Sequence, residues 1–285
     1  AGEQPDNVAN IIFRSNEPSY VAGYVAGMVT KSNIIGFMGG VQNYIVEDFY
    51  CGFAAGVERA EKERGVDIEI LVDYTGSFLD VDLGYASALS MYDAGADIVY
   101  QVAGTCGTGA IDAADVRGKY VIGVDVDQSY LAPDAVIFSV VKHIPQAVCD
   151  TSLLYKAGED FSGQTISLGY AEGDYVGLAG YMEDVIPESV IRKAGEIEKE
   201  IAEGKITLET KLEVSVAAQE LKLLKDTPTD LCSLYISIPF CPSRCAYCSF
   251  VSYTSERLLS LLNDYLVKLK IEVTEIFNLI REKGY

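Results

Sequence analysis

The sequence predicts an α/β fold in which a parallel sheet carries helices on both faces. Three observations predict it. Strand-like and helix-like runs alternate at a regular interval between residues 34 and 125, the pattern of βαβ units. The strand runs IIGFMGG, IEILVDY, DIVYQVAG and YVIGVD are nearly continuous in apolar residues, as strands covered on both faces are. Two of the helix runs end at Gly65 and Gly95, and glycine is the usual residue where a helix stops in a left-handed conformation.

Residues 10–13, NIIF, read as a short strand. A helix follows over 17–30, with Tyr20, Tyr24 and Met28 at helical spacing, Gly23 and Gly27 leaving room for a close neighbour, and Asn33 as the break. The main series is strand 34–40, helix 46–64, strand 68–74, helix 81–94, strand 97–104, a Gly-rich turn, helix 110–116, and strand 120–125 as its close. Residues 138–156 read as a strand end and helix, 165–181 as strand and loop, and 187–203 as a charged helix stopped by Gly204. Further on come a helix over 212–225, a strand over 234–239 and an amphipathic helix over 258–283.

The chain has 285 residues and a net charge of −20. The excess of acid lies entirely in residues 1–210, because residues 211–285 balance at nine basic and nine acidic residues. A shift of that size marks a domain boundary near Thr210, dividing the chain into 1–210 and 211–285. The acidic part repels nucleic acid and anionic membrane, and as a plain solubility surface it needs no further function. No run of 18 apolar residues is present, so no membrane-spanning helix is expected. The start AGEQPDNV has neither a basic region nor an apolar core, so no signal peptide is expected and the chain as given reads as cytoplasmic. Cys51, Cys106, Cys149 and Cys232 are scattered among small or apolar residues. Each is expected to be a buried small hydrophobe rather than part of a disulfide framework.

In open parallel sheets ligands bind beyond the carboxyl ends of the strands. Here those ends are residues 38–40, 73–75, 103–109 and 125–128. The turn AGTCGTG admits two readings, a phosphate loop or a close backbone approach to a neutral polar ligand. It matches neither G-x-G-x-x-G nor the Walker A pattern, and no Lys follows it. Asp125 and Asp127, with Lys142 further on, suit sugar hydroxyls; an ion pair or a helix cap explains them equally well.

Cys241, Cys245 and Cys248 stand in IPFCPSRCAYCSF with the spacing C-x3-C-x2-C. Three thiolates on one loop suit a [4Fe–4S] cluster with one iron left open. Zinc sites more often use two separated ligand pairs.

The runs NVANIIFRSNEPSYVAGYVAGMVTKSNIIGFMGG, FYCGFAAGVERA, YDAGADIVYQVAGTCGTGAIDAA, VIGVDVDQSYLAP and FSVVKHI resemble the basic membrane protein family. The resemblance implies a lipoprotein solute receptor of an ABC transporter, typically for purine nucleosides, with the type I periplasmic binding fold. It implies two lobes closing on the ligand, with Asp125 on the ribose hydroxyls, Gly104 approaching the sugar and Lys142 reaching across the cleft. Its partners would be a nucleoside-type small molecule and a transporter permease, with a lipid anchor as the membrane attachment. Relative to the family the first lobe is expected to be incomplete, missing an upstream segment and the anchor with it.

SLYISIPFCPSRCAYCSFVSY resembles the radical S-adenosylmethionine superfamily, in particular the oxygen-independent coproporphyrinogen dehydrogenase group. That implies Cys241, Cys245 and Cys248 as cluster ligands, Tyr247 near the adenine of S-adenosylmethionine, and a barrel cut short at its C-terminal end. An exported receptor and a cytosolic cluster enzyme belong to different compartments. The expectation is therefore a chimera or fragment, inactive as an enzyme, rather than a bifunctional protein.

Overall fold

The computed structural model describes residues 8–208. The expected elements over 212–225, 234–239 and 258–283, and the assignments to Cys232, Cys241, Cys245, Tyr247 and Cys248, lie outside the described residues.

The elements run β1 (Asn10–Phe13), α1 (Asn16–Val29), β2 (Ile34–Gly39), α2 (Tyr44–Arg64), β3 (Glu69–Tyr74), α3 (Val81–Asp93), β4 (Ile98–Val102), a 3-10 turn (Gly104–Cys106) and α4 (Gly107–Arg117). They continue as β5 (Tyr120–Asp125), β6 (Val136–Lys142), α5 (Ile144–Lys156), β7 (Thr165–Leu168), β8 (Val176–Ala179) and α6 (Glu188–Ala202). The large sheet has the order β3-β2-β4-β5-β6-β8. Its first five strands are parallel and β8 joins β6 antiparallel. The expected close of the series at Asp125 is therefore corrected. β6 extends the parallel sheet although residues 126–135, which lead to it, form no helix. β1 and β7 pair in parallel as a separate two-stranded sheet.

Local chemistry sets the helix ends. Asn43 caps α2, its side-chain oxygen accepting from the N–H groups of Ile45 and Val46 at 2.9 and 3.1 Å. Gly65 ends the same helix at φ +67. Asn33, the predicted breaker, stands at φ +58. Arg64 holds that break in place, donating to the Gly27 carbonyl at 2.5 Å and to Asn33 Oδ1 at 2.9 Å.

Helices cover both faces of the large sheet, so its inner strands are mostly apolar and buried, whereas the edge strand β3 has no buried residue and keeps Glu69 and Asp73 exposed. On one face Tyr24, Phe37, Phe49, Phe53 and Tyr100 join residues of α6 in one core. On the other, Met38, Met91, Val99, Ile111 and Val121 pack with α3 and α4. The contact between α1 and α2 depends on glycine. A Cβ on Gly23 would stand 2.0 Å from the Phe53 carbonyl oxygen, and one on Gly56 would stand 2.0 Å from that of Tyr20.

The expectation of buried cysteines holds for Cys106 alone among the described residues. Cys51 is half-buried and Cys149 exposed. Cys149 lies on α5, whose one buried residue is Ala147. Ile144, Val148, Leu153 and Tyr155 of that helix are exposed too.

The backbone passes between the two sheets three times: after β1, between β6 and β7, and between β7 and β8. Arg14 on the first passage donates to Glu17 Oε1 at 2.5 Å and pairs with Glu172 on the third. Glu17 Oε2 in turn accepts from Tyr170 N–H at 2.7 Å. On the second passage, His143 N–H donates to the Tyr175 carbonyl at 2.9 Å, and His143 Nε2 lies 3.6 Å from Asp174 Oδ1.

Candidate functional site at the carboxyl edge of the large sheet

Parallel strands put all their carboxyl ends on one edge, so Gly39, Tyr74, Val102, Asp125 and Lys142 come together there. Asp125 pairs in register with Val141, which places Lys142 one residue beyond. Lys142 Nζ lies 3.2 Å from Asp125 Oδ1 and 4.5 Å from the centroid of the Phe49 ring on α2. The structure therefore shows the ion pair that the sequence left as one of several readings. The carboxylate is the accessible partner, 49% exposed against 15% for the lysine side chain. A charge held over an aromatic face and beside one carboxylate keeps its direction without being neutralised by a full set of partners.

The Gly-rich turn divides its glycines among different tasks. Gly104 stands at φ +59 and abuts Phe78, whose carbonyl oxygen would lie 3.2 Å from a Cβ there. Gly107 clears space for the Gln101 side chain, and Gly109 for the backbone of α3. Three amides of the turn are bonded within the fold: Ala103 N–H to Gln101 Oε1 at 3.3 Å, Cys106 N–H to the Phe78 carbonyl at 3.0 Å, and Gly107 N–H to carbonyls of the turn itself. A phosphate loop needs its amides to point at the ligand, and these three are turned to partners in the protein. The Cys106 thiol is buried, and burial pushes its pKa up, against the hydrogen bond to Thr75 Oγ1 at 3.4 Å. It is no activated nucleophile.

Sequence reasoning missed Phe78. It follows β3 in a polar turn and is 37% exposed. Its ring fills the space above Gly40, where a Cβ would come within 2.4 Å of it. The available signal was an aromatic residue, in TGSFLD, just beyond a strand end. Phe49 was missed as well, because on the sequence it is one more apolar position of α2. Phe78, Gly104, Asp125 and Lys142 thus supply an aromatic face, an open backbone, a carboxylate and an ammonium along one edge. Such groups suit hydrogen bonding and stacking with a polar ligand, and no general base with an adjacent nucleophile stands among these four residues.

Two concavities are lined by other residues. One of about 230 Å³ is lined by His143, Gln146, Asp150, Gly173, Asp174 and Tyr175. The other, of about 330 Å³, runs between residues 129–136 and 180–182.

A family model described as ABC transporter substrate-binding protein PnrA-like, Bmp, matches residues 1–211. The chain is similar to basic membrane protein D of Borreliella burgdorferi, 41% identical over 177 residues, covering 61% of this chain and 50% of that one. It is similar to basic membrane protein A1 of Borrelia garinii subsp. bavariensis, 38% identical over 200 residues, covering 69% and 56%. The chain spans about half the length of the curated relatives it matches. Among solved structures, an ABC transporter solute-binding protein of Aeropyrum pernix superposes with a TM-score of 0.66 at 25% identity, over 78% of this chain and 72% of that one. A transcriptional activator of the comK gene from Bacillus halodurans shares the fold, with a TM-score of 0.62 at 20% identity over 72% and 68%.

Proposed function

Because the chain belongs to the Bmp family of PnrA-like ABC transporter substrate-binding proteins, we propose that its sheet edge takes up a nucleoside-type small molecule for delivery to a transporter permease at the membrane. The observation that carries this reading is the Asp125–Lys142 pair at the same strand-end edge as Gly104 and the exposed Phe78. Asp125 accepts from ribose hydroxyls and Lys142 donates to the same sugar or to a ring nitrogen. The Phe78 ring offers a flat apolar face to a purine. Gly104, with no side chain, lets the sugar approach the backbone. Among the described residues no helix is long and apolar enough to cross a membrane; a lipid anchor is the proposed means of attachment.

Small-molecule sites bury most of their ligand, and this edge forms one wall. Affinity in this chain alone is therefore expected nearer to about 1 mM than to 1 µM. Calorimetry with inosine, adenosine and guanosine tests the reading. Binding that weakens about tenfold in both Asp125→Ala and Phe78→Ala supports it. Nucleoside binding untouched by both substitutions would reject this site.

A second reading rests on the sequence spacing alone. Cys241, Cys245 and Cys248 would hold a [4Fe–4S] cluster, with Tyr247 beside the adenine of S-adenosylmethionine, as in coproporphyrinogen dehydrogenases. The family match stops at residue 211 and lends this no support. Anaerobic loading with iron and sulfide, compared between the native chain and one with all three cysteines replaced by Ser, decides it. Equal iron uptake by the two would end the cluster reading.

A further inference from the structure

The parallel pairing of β4 with β5 runs from Ile98 opposite Tyr120 to Tyr100 opposite Ile122, and stops there. Both strands continue, to Val102 and to Asp125. Tyr120 N–H donates to the Asp97 carbonyl at 3.0 Å. The alternation along a strand then turns Val124 N–H toward β4 as well. With the strands splayed, that amide needs another acceptor.

Two glutamine side chains fill the gap. Gln128 Oε1 accepts from Val124 N–H at 2.9 Å and from Gln101 Nε2 at 2.7 Å. Gln128 N–H donates to Ser139 Oγ of β6 at 3.0 Å. Gln101 and Ser139 are fully buried. Two glycines make the space. A Cβ on Gly107 would stand 1.8 Å from Gln101 Oε1, and one on Gly123 would stand 2.4 Å from Ser139 Oγ and 2.8 Å from Gln128 Oε1.

Directly after Val124 comes Asp125, at φ +66. It is the middle residue of a three-residue turn closed by Val126 N–H on the Val124 carbonyl at 2.8 Å. Such turns with positive φ are rare and strained for a residue with a side chain, and persist only where the surroundings hold them. Val124 is held at both its polar groups, the N–H by Gln128 and the carbonyl by Val126.

We propose that Gln128, backed by Gln101, is the positioning residue for Asp125: it occupies the gap between β4 and β5, holds the strained turn, and so aims the Asp125 carboxylate along the ligand edge toward Lys142. The inference rests on the reading of Asp125 as a ligand contact. Without the glutamine oxygen, Val124 N–H is left to water or to a shifted strand. Asp125 then relaxes toward extended backbone, which turns its side chain to the other side of the sheet.

The test uses the full chain, with amide hydrogen exchange and inosine calorimetry side by side. In Gln128→Ala, Val124 N–H should exchange about tenfold faster while Val99, inside β4, is unchanged, and inosine affinity should fall about tenfold. Gln128→Glu keeps an acceptor oxygen at the same place and should restore both. In an Asp125→Ala background, Gln128→Ala should cost no further affinity, since it acts through Asp125. Unaltered Val124 exchange in Gln128→Ala, or affinity losses that add across the two positions, would overturn the proposal. If the native chain binds no inosine, the nucleoside reading fails by itself, and the exchange rates of Val124 still decide whether Gln128 holds the turn.

Discussion

Lys142 and Asp125 end neighbouring parallel strands and meet at 3.2 Å, with the lysine side chain sheltered and the carboxylate half in solvent. The order of encounter follows from that asymmetry. A ligand arriving from solution would meet the exposed Asp125 carboxylate before the sheltered Lys142 ammonium. Removing either partner leaves the other without its counter-charge, so the two should not act independently in ligand binding.

Asp125→Gly should trade binding for stability. Glycine adopts φ +66 without strain, whereas a residue with a Cβ is strained there by about 1–3 kcal/mol. Glycine also loses more freedom on folding. The net expectation is a gain of about 1 kcal/mol in chemical denaturation, together with loss of nucleoside binding. A destabilised variant would show that the turn carries no strain.

Gly56→Ala should destabilise the chain by about 2–4 kcal/mol. The new methyl would meet the Tyr20 carbonyl oxygen at 2.0 Å, backbone that no side-chain rotation can move aside. Gly65→Ala is a contrasting case. It has nothing within 4 Å, and its cost, about 1 kcal/mol, should come from φ +67 alone. The two denaturation midpoints, measured side by side, check the ranking.

Acid should loosen the passages between the sheets. Burial works to raise the Glu172 pKa, but the hydrogen bonds from Arg14 and from Gly169 N–H outweigh it and hold the carboxyl below the usual range. A depressed folded-state value means that the pairing contributes stability above the unfolded glutamate pKa, about 4.3, and loses it as pH falls through the folded value. Thermal unfolding of the native chain should therefore fall more steeply between about pH 5 and 3 than that of Glu172→Gln. Parallel curves would disprove the linkage.

Glu198 should behave oppositely. Burial raises its pKa, only partly countered by the hydrogen bond from the Tyr170 hydroxyl at 3.3 Å. A raised folded-state value gives stability that is present below the unfolded pKa and lost as pH rises through the folded one. Glu198→Gln should accordingly raise the melting temperature at pH 7 and lose that advantage near about pH 4. A lower melting temperature at neutral pH would mean that the carboxylate has a compensating partner.

Much of the large sheet was legible because its signal is local. The runs leading to Gly39 and Asp125 are apolar on both faces, the edge run leading to Tyr74 is apolar only in its middle, and Asn33 and Gly65 mark their breaks by backbone chemistry alone. β6 was left outside the series because the crossover before it, residues 126–135, has no helical period to detect. The antiparallel seat of β8 against β6 depends on partners about forty residues away along the chain. At the candidate site, Asp125, Lys142 and Gly104 were singled out by resemblance and by their place at or just after strand ends. The left-handed backbone of Asp125, the Gln101–Gln128 bridge and the seat of the Phe78 ring against Gly40 were not. Each is a property of how distant segments meet, and no single segment carries its trace.

The three passages between the sheets are tied into one. Arg14 fastens the first to the third through Glu172, and His143 fastens the second to the third through Tyr175. Three separate tethers would let the small sheet rock, slide and swivel independently at each. Both ties converge on the segment 169–175, which joins the three passages through its own residues. No one of the three passages can then shift by itself without breaking either the Arg14–Glu172 pair or the His143–Tyr175 bond.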